Sequence, residues 1–565
     1  MECALLGDPV EMQFHTIRRR AGLGGALCWL ALVTCSGSAA ADGKTYYVSP
    51  SGSGVSTNSA SPGSASATLA RLCNGGGDEI NGGDTVLFQD GSYGTVVIDE
   101  KTCGAVGKHI VLRAATPLGA RIENKSGFVV HGSAYYTIEG FEVSGSNSAQ
   151  NPYEYGVVID NRGATGKLSH HVFVRGNKLH DLGSTGVSTL DATHVVIEDN
   201  EIFATAAWDP YQNSGISTFQ SRNPNGYAPL EGAYSNIIRN NRVYGVKNVV
   251  PHPKNGITDG NCIILDVNNI YGDYTARTLV ANNLCMDNAR GIWILTSSHV
   301  DVFNNTLYQN GNTKWGDGSK GPELGVYCES RGRRAHDIHF ANNLVVPLSG
   351  ARSISQVKSP SGCDDMSDIT YVDNIFVDDL SSSRLDGNPS VPTSMDATQL
   401  GACTTNLIGA NADSLSFASV GTGANADFAL GSSSLAIDRG CQAPTEVETL
   451  GDFVGAPRVS GAGIDVGALE FQASAGSSGG GAGGGGAAGG SGGGAAGGAS
   501  GTAASGAGSG SAGISGDSGA GTTPDSGDAG SCECGVARRD GTFPWALSLL
   551  GLALMRRLRH SRRRR

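Results

Sequence analysis

The chain has 565 residues, 85 of them glycine and only 6% aromatic, with a formal charge of -12. Its arginines gather at the two ends, at Arg18–Arg20 and at nine positions after Ser531, so the stretch between them is more acidic still. That excludes a nucleic acid partner, which needs a basic face, and suits the recruitment of divalent cations.

Residues 1–41 read as a secretory signal peptide: Arg18–Arg20, an apolar run to Val33, then small residues ending at Ala39, Ala40 and Ala41 before Asp42. Met12 is an alternative start, and a lipoprotein-type site at Cys35 is disfavoured by the preceding Thr34. Export implies an oxidising setting for the eight cysteines between Asp42 and Gln472. Sequential pairing is the simplest expectation: Cys73 with Cys103, Cys262 with Cys285, Cys328 with Cys363 and Cys403 with Cys441. None has the short paired spacing of a zinc site.

From Val172 to Phe376 one phrase recurs seven times: VFVRGNKL, VVIEDNEI, NIIRNNRV, TLVANNLC, VDVFNNTL, IHFANNLV and ITYVDNIF. Its asparagines, Asn177, Asn200, Asn241, Asn283, Asn305, Asn343 and Asn374, each have an apolar residue three before and two after. Between the copies lies a second strand-like phrase, including GVVID from Gly156, GISTF from Gly215, NCIIL from Asn261 and GIWIL from Gly291. Spacings of 23 residues (Asn177 to Asn200) and 22 (Asn283 to Asn305) leave no room for a helix. The chain must therefore wind as a solenoid of strands. Asparagine tolerates the left-handed conformation of a sharp corner, and its amide can donate to one coil and accept from another.

Such an asparagine ladder resembles that of right-handed parallel β-helices of the pectate-lyase type, an all-β fold. YYVSPSGSG (Tyr46–Gly54), GGDTVLFQDGSYG (Gly82–Gly94) and GKHIVLRAAT (Gly107–Thr116) resemble the N-terminal region of secreted β-helix proteins. The resemblance implies a β-helix with its N-terminal cap over residues 42–380. SSLAIDRG (Ser433–Gly440) and GIDVGALEF (Gly463–Phe471) are similar to closing segments of surface β-helix proteins, which implies a C-terminal capping region over 381–472. Residues 473–530, almost wholly Gly, Ser and Ala, form a linker that cannot bury a core. In 531–565 come Cys532 and Cys534, an apolar run Phe543–Met555, and terminal arginines. The order resembles the MYXO-CTERM sorting tail and implies export to the cell surface, anchored at the outer membrane, or secretion. Membrane contact is expected only through this tail, since 13 apolar residues are short of the roughly 20 a span needs. The protein is expected to be a monomer.

Connectors into the second strand are long before Gly215, Asn261 and Gly325 but short before Gly291, which makes a trough. If Ile292 and Ile294 face inward, Trp293 and Tyr327 face outward on its floor and suit stacking against sugars. Trp208, Trp315 and Lys320 on the loops join them as substrate-binding candidates. Arg290 and Lys254 are the candidate bases, and Asp259, Asp266, Asp317 and Glu323 the candidate ligands for calcium. This is the equipment of β-elimination on a uronic acid. A cation neutralises the sugar carboxylate, and a Lys or Arg of lowered pKa removes the C5 proton. The reading is a surface-anchored polysaccharide lyase acting on an acidic polysaccharide. A noncatalytic glycan-binding adhesin stays open beside it, as does a uronate-polymer hydrolase or epimerase, because one fold hosts many reactions.

Overall fold

The computed structural model describes residues 43–472, apart from residues 77–78, 165–166, 224–225, 255, 315–318, 330–331, 361, 388, 392, 395–404 and 442. The signal segment, linker and sorting tail, together with Trp315, Asp317 and Cys403, lie outside the described residues.

Each ladder phrase breaks in two at its asparagine. The strand before it, such as Thr193–Glu198, joins a first sheet of 11 strands; the short strand after it, such as Glu201–Phe203, joins a second of 12. The other phrase, such as Ile216–Phe219, forms a third sheet of 10. Within these sheets each strand pairs in parallel with its counterpart one coil away. The fold is therefore a right-handed parallel β-helix with three strands per coil, one more than the two phrases suggest. Among the described residues no helix is long and apolar enough to cross a membrane.

Alternation puts every second side chain inside. Val174, Ile197, Ile238, Val280, Val302, Phe340 and Tyr371 stack in register through the first sheet, each at most 1% exposed. The Phe340 and Tyr371 rings lie 4.5 Å apart and nearly parallel. At the corner the asparagines join in a chain that extends to Asn406, amide to amide at 2.9–3.1 Å. From Asn200 onward each Oδ1 accepts from both the backbone and side-chain N–H of the asparagine one coil back, as Asn305 does from Asn283, while Asn177 accepts from the Phe141 backbone N–H alone. The left-handed backbone is not on these asparagines. It falls one residue earlier, on Gly176, Asp199, Asn240, Asn282, Asn304, Asn342 and Asp373, the residue types that tolerate positive φ.

The first three sequential disulfides are present, Cys73–Cys103, Cys262–Cys285 and Cys328–Cys363. At the N-terminal end the short helix Ala65–Leu69, capped by the Ser64 side chain, packs Ala65 and Leu69 on the core. Of the segment expected to close the other end, Arg384–Leu385 adds a last strand to the third sheet. Asn406–Ile408 continues the second sheet, and the chain then runs back along the outside. Phe428, Leu430, Val466 and Leu469 pack on the second sheet's outer side chains Leu284, Tyr308 and Leu344, while Val447 and Ile464 pack on Ile237 and Leu279 of the first. These outer faces are apolar, so burying them laterally is worth more than covering one coil's edge.

Asn305→Ala removes the acceptor of two buried N–H groups and the donor to the Val280 and Phe303 carbonyls. At about 1–3 kcal/mol per orphaned buried group, the variant is expected to lose about 3 kcal/mol or more, read as a lower urea midpoint.

Candidate functional site

The expected trough is on the outer face of the third sheet. Strand Arg290–Leu295 lies between Asn261–Asp266 and Leu324–Cys328, with Trp293 opposite Ile264 and Gly325. Ile292 and Ile294 are buried inside, and Trp293 and Tyr327 project outward with their rings stacked at 6.4 Å and 19°. Glycine is required at 325 because a Cβ there would collide with the Trp293 ring. The Arg290 guanidinium sits 4.5 Å from the centre of that ring, and its NH1 reaches Asn261 Oδ1 at 3.4 Å. Burial pushes the Asp259 carboxyl up, and Arg290 beside it pulls the other way. Trp293 and Arg290 are covered, at 6% and 5% exposure, which leaves half-buried Tyr327 as the more accessible part of this floor.

The remaining candidates do not gather here. Asp259 and Asp266 lie at the two ends of strand Asn261–Asp266, more than ~16 Å apart at about 3.3 Å per residue. One calcium ion cannot bind both, since its ligands lie about 2.4 Å away. Glu323 is fully buried, accepting from the Asn310 backbone N–H at 2.8 Å and from Asn310 Nδ2 at 2.5 Å. It ends a second, unanticipated ladder from Asn288 through Asn310, and burial pushes its pKa up to about 8. A buried carboxyl whose two oxygens both accept from Asn310 has a structural role and is not open to a calcium ion. Lys320 Nζ donates to the Ser349 carbonyl at 2.5 Å and Trp208 Nε1 to Asn147 Oδ1 at 2.9 Å, and Lys254 is exposed on its loop.

A different set of groups converges at the edge where each coil re-enters the first sheet. Six residues before the ladder position of each coil stands one column, Tyr135, His171, His194, Ser235, Arg277, His299, Asp337 and Asp368, with His109 one coil before Tyr135 and a bulge at Ser235 that pairs Arg277 with Tyr234. The signal was present in the sequence as SHHV, THV, SHV and HDIH, whose His171, His194, His299 and Asp337 each stand six residues before a ladder asparagine.

At one end of the column the His171 and His194 rings stack at 4.8 Å. His170 Nδ1 lies 2.7 Å from His171 Nδ1, and His170 Nε2 lies 2.9 Å from the Tyr227 hydroxyl. At the other end Arg277 pairs with Asp301 at 2.7 Å and with Asp337. His299 Nδ1 and His339 Nε2 also reach Asp337, at 2.5 and 2.8 Å. These partners hold the Asp337 carboxyl well below the usual range against the opposing effect of burial, while burial raises Asp301 despite Arg277. Between the two ends small Ser235 leaves a gap. Here lies an open cleft of about 390 Å³ lined by Tyr227, Ser235, Thr275, Arg277 and His299.

Asp337, His339 and Asp368 bring one ligand atom each within 4.8 Å of one another, a triad able to hold a metal ion. Two carboxylates and an imidazole suit a transition metal better than calcium, which takes oxygen ligands alone.

No family model matches the chain, and no curated protein sequence is similar to it. Among solved structures it is similar to pectate lyase Pel9A, at 14% identity over 77% of this chain and 98% of that one, with a TM-score of 0.43. It is also similar to an alginate lyase from Paenibacillus sp. str. FPU-7, at 17% identity, 61% and 97% coverage and a TM-score of 0.35. The A-module of mannuronan C-5 epimerase AlgE4 from Azotobacter vinelandii gives 13%, 55% and 91%, and 0.30. Identities this low leave the site to be read from this chain's own side chains.

Burial is the main cause that lowers His109 and His170 to about 4 and His171 to about 3, from 6.5. The unfolded chain therefore binds protons first as pH falls. This contribution to stability is fully present above about 6.5 and is lost progressively toward 4 and below. The urea midpoint is expected to drop between about pH 7 and about pH 4.5, and to drop less in His171→Phe, which cannot titrate.

Proposed function

We propose that the protein is a polysaccharide-acting enzyme, a lyase that cleaves an acidic, uronate-containing polymer by β-elimination. The observation that carries this reading is the convergence of Arg277, His299 and Tyr227 on one open cleft. Arg277 has five N–H donors in a planar fork suited to a carboxylate, and Asp301 and Asp337 hold that fork in place. The N–H groups of Arg277 that those two pairs leave over can donate to the sugar carboxylate, which makes the adjacent C5 proton more acidic. Among the described residues lining the cleft none is a carboxylate, which disfavours a glycosidase working through two of them.

The scatter of Asp259, Asp266 and Glu323 supports no calcium site in the trough, so no step is assigned to calcium. It also favours the second reading, a noncatalytic glycan-binding protein. Three disulfides support export, and we place the protein outside the cytoplasm, at the cell surface or secreted, as a monomer.

The test offers pectate, alginate and glycosaminoglycans to the full-length protein, with calcium or with chelator, and follows absorbance in the unsaturated-uronate band. A rise is expected that survives chelation and falls about tenfold to a hundredfold in Arg277→Lys, which keeps the charge and loses the fork. A rise lost in Arg290→Ala or Lys254→Ala but kept in Arg277→Lys returns the site to the trough. Binding without any rise makes the protein an adhesin, and new reducing ends without unsaturation make it a hydrolase.

A further inference from the structure

The cleft holds one feature that binding a carboxylate does not use. Tyr227 lines it, and the tyrosine hydroxyl is the outer end of a chain of close polar atoms that runs to His170 Nε2 at 2.9 Å and from His170 Nδ1 to His171 Nδ1 at 2.7 Å. A neutral imidazole has one donor nitrogen and one acceptor nitrogen. If Tyr227 donates to His170 Nε2, then His170 Nδ1 donates to His171. If His171 donates to His170 Nδ1, then His170 Nε2 donates to Tyr227. Both directions are consistent throughout, and in the first of them a proton received at Tyr227 can pass inward by two hops, leaving His171 doubly protonated.

We propose that Tyr227, His170 and His171 form the acid–base relay of the elimination, carrying the C5 proton of a bound uronate to the leaving oxygen. The proposal rests on the lyase reading above. The C5–H bond breaks and its proton goes to the Tyr227 oxygen, as the phenol proton moves to His170 Nε2 and the His170 Nδ1 proton moves to His171 Nδ1, which leaves His171 an imidazolium for the lifetime of the step. The C–H electron pair forms the C4–C5 double bond, and the C4–O bond breaks with its pair on the leaving oxygen. The relay then runs back, and Tyr227 protonates that oxygen. One proton has moved from C5 to the leaving group, and the protein ends as it began.

The surroundings favour return over retention. Both histidines are buried, at 5% and 3% exposure, and burial first, then the repulsion that protonated imidazoles so close together would feel, disfavours their charged form, so a proton placed on His171 is readily given back. The Tyr135 ring packs 5.0 Å from His170 and 4.8 Å from His171. His194 Nε2 lies 3.0 Å from the Ala228 carbonyl, which ties the loop carrying Tyr227 to the column. Tyr227 therefore acts at the reacting atoms, and His170 and His171 act through it.

The test measures kcat, KM and the pH profile of the full-length protein on whichever acidic polymer it cleaves, with melting temperatures as the control for folding. Tyr227→Phe keeps the ring against the histidines and removes the hydroxyl. It is expected to lower kcat about a thousandfold with KM within about twofold, the size of a lost acid–base group. His170→Gln can still bond the hydroxyl but cannot pass a proton on. It is expected to lower kcat about tenfold or more and to change the acid limb of the profile. A folded Tyr227→Phe that keeps kcat within about twofold overturns the relay and leaves the lyase reading standing. No unsaturated product from the wild type on any acidic polymer overturns the lyase reading, and the relay with it.

Discussion

The hydrogen bond between asparagine side chains of successive coils is the constraint on which the rest depends. From Asn200 onward each amide oxygen accepts two N–H groups from the coil before, and each Nδ2 also donates to a strand carbonyl, as Asn200 does to Val174. These groups are buried and have no access to water, so a coil that misplaces its asparagine leaves several of them unpaired. The ladder therefore holds each coil in phase at one corner. Length can vary elsewhere, and the long insertions fall at the other corners. A second, shorter ladder from Asn288 to Asn310, closed within the second coil by Glu323, does the same at another corner for two coils.

A coil held in phase turns any recurring position into a column about 4.8 Å per step along the axis. The inward columns make the core. The position at the entry to the first sheet is different, because the backbone there has positive φ at Tyr135, His171, His194, His299, Asp337 and Asp368, which takes it out of the inward alternation. It can hold His, Arg, Ser or Asp without disturbing the interior. Neighbours in this column act on one another directly: His171 stacks on His194, and Arg277 pairs with Asp337 two coils away. Where small Ser235 follows two imidazoles the column opens into the cleft, with buried neutral bases on one side and a guanidinium held between carboxylates on the other. A single small residue in an otherwise bulky column thus creates the binding volume.

The predicted trough shows how far sequence reasoning about a surface can reach. Counting alternation from Ile292 and Ile294 placed Trp293 and Tyr327 outside and side by side, and they stack. The same counting could not show that Trp293 and Arg290 would be covered, that Asp259 and Asp266 would stand at opposite ends of one strand, or that Glu323 would serve a ladder. Each depends on where loops and neighbouring coils lie in space. The histidine column was legible at a fixed offset from the ladder phrase, but its meaning was not. His170 and Tyr227 are 57 residues apart, and Arg277 and Asp337 are 60 apart.

By itself the sequence determined the solenoid, the asparagine ladder and the alternation of the strands. These follow from local periods and residue chemistry repeated many times, so each copy reinforces the same answer. Only the tertiary structure decided that each ladder phrase bends into two sheets, that the segment after Ile408 runs back along the outside, and which side chains meet in the cleft. Those features occur once, and they depend on contacts between coils and loops far apart in the chain, where no repetition in the sequence can mark them.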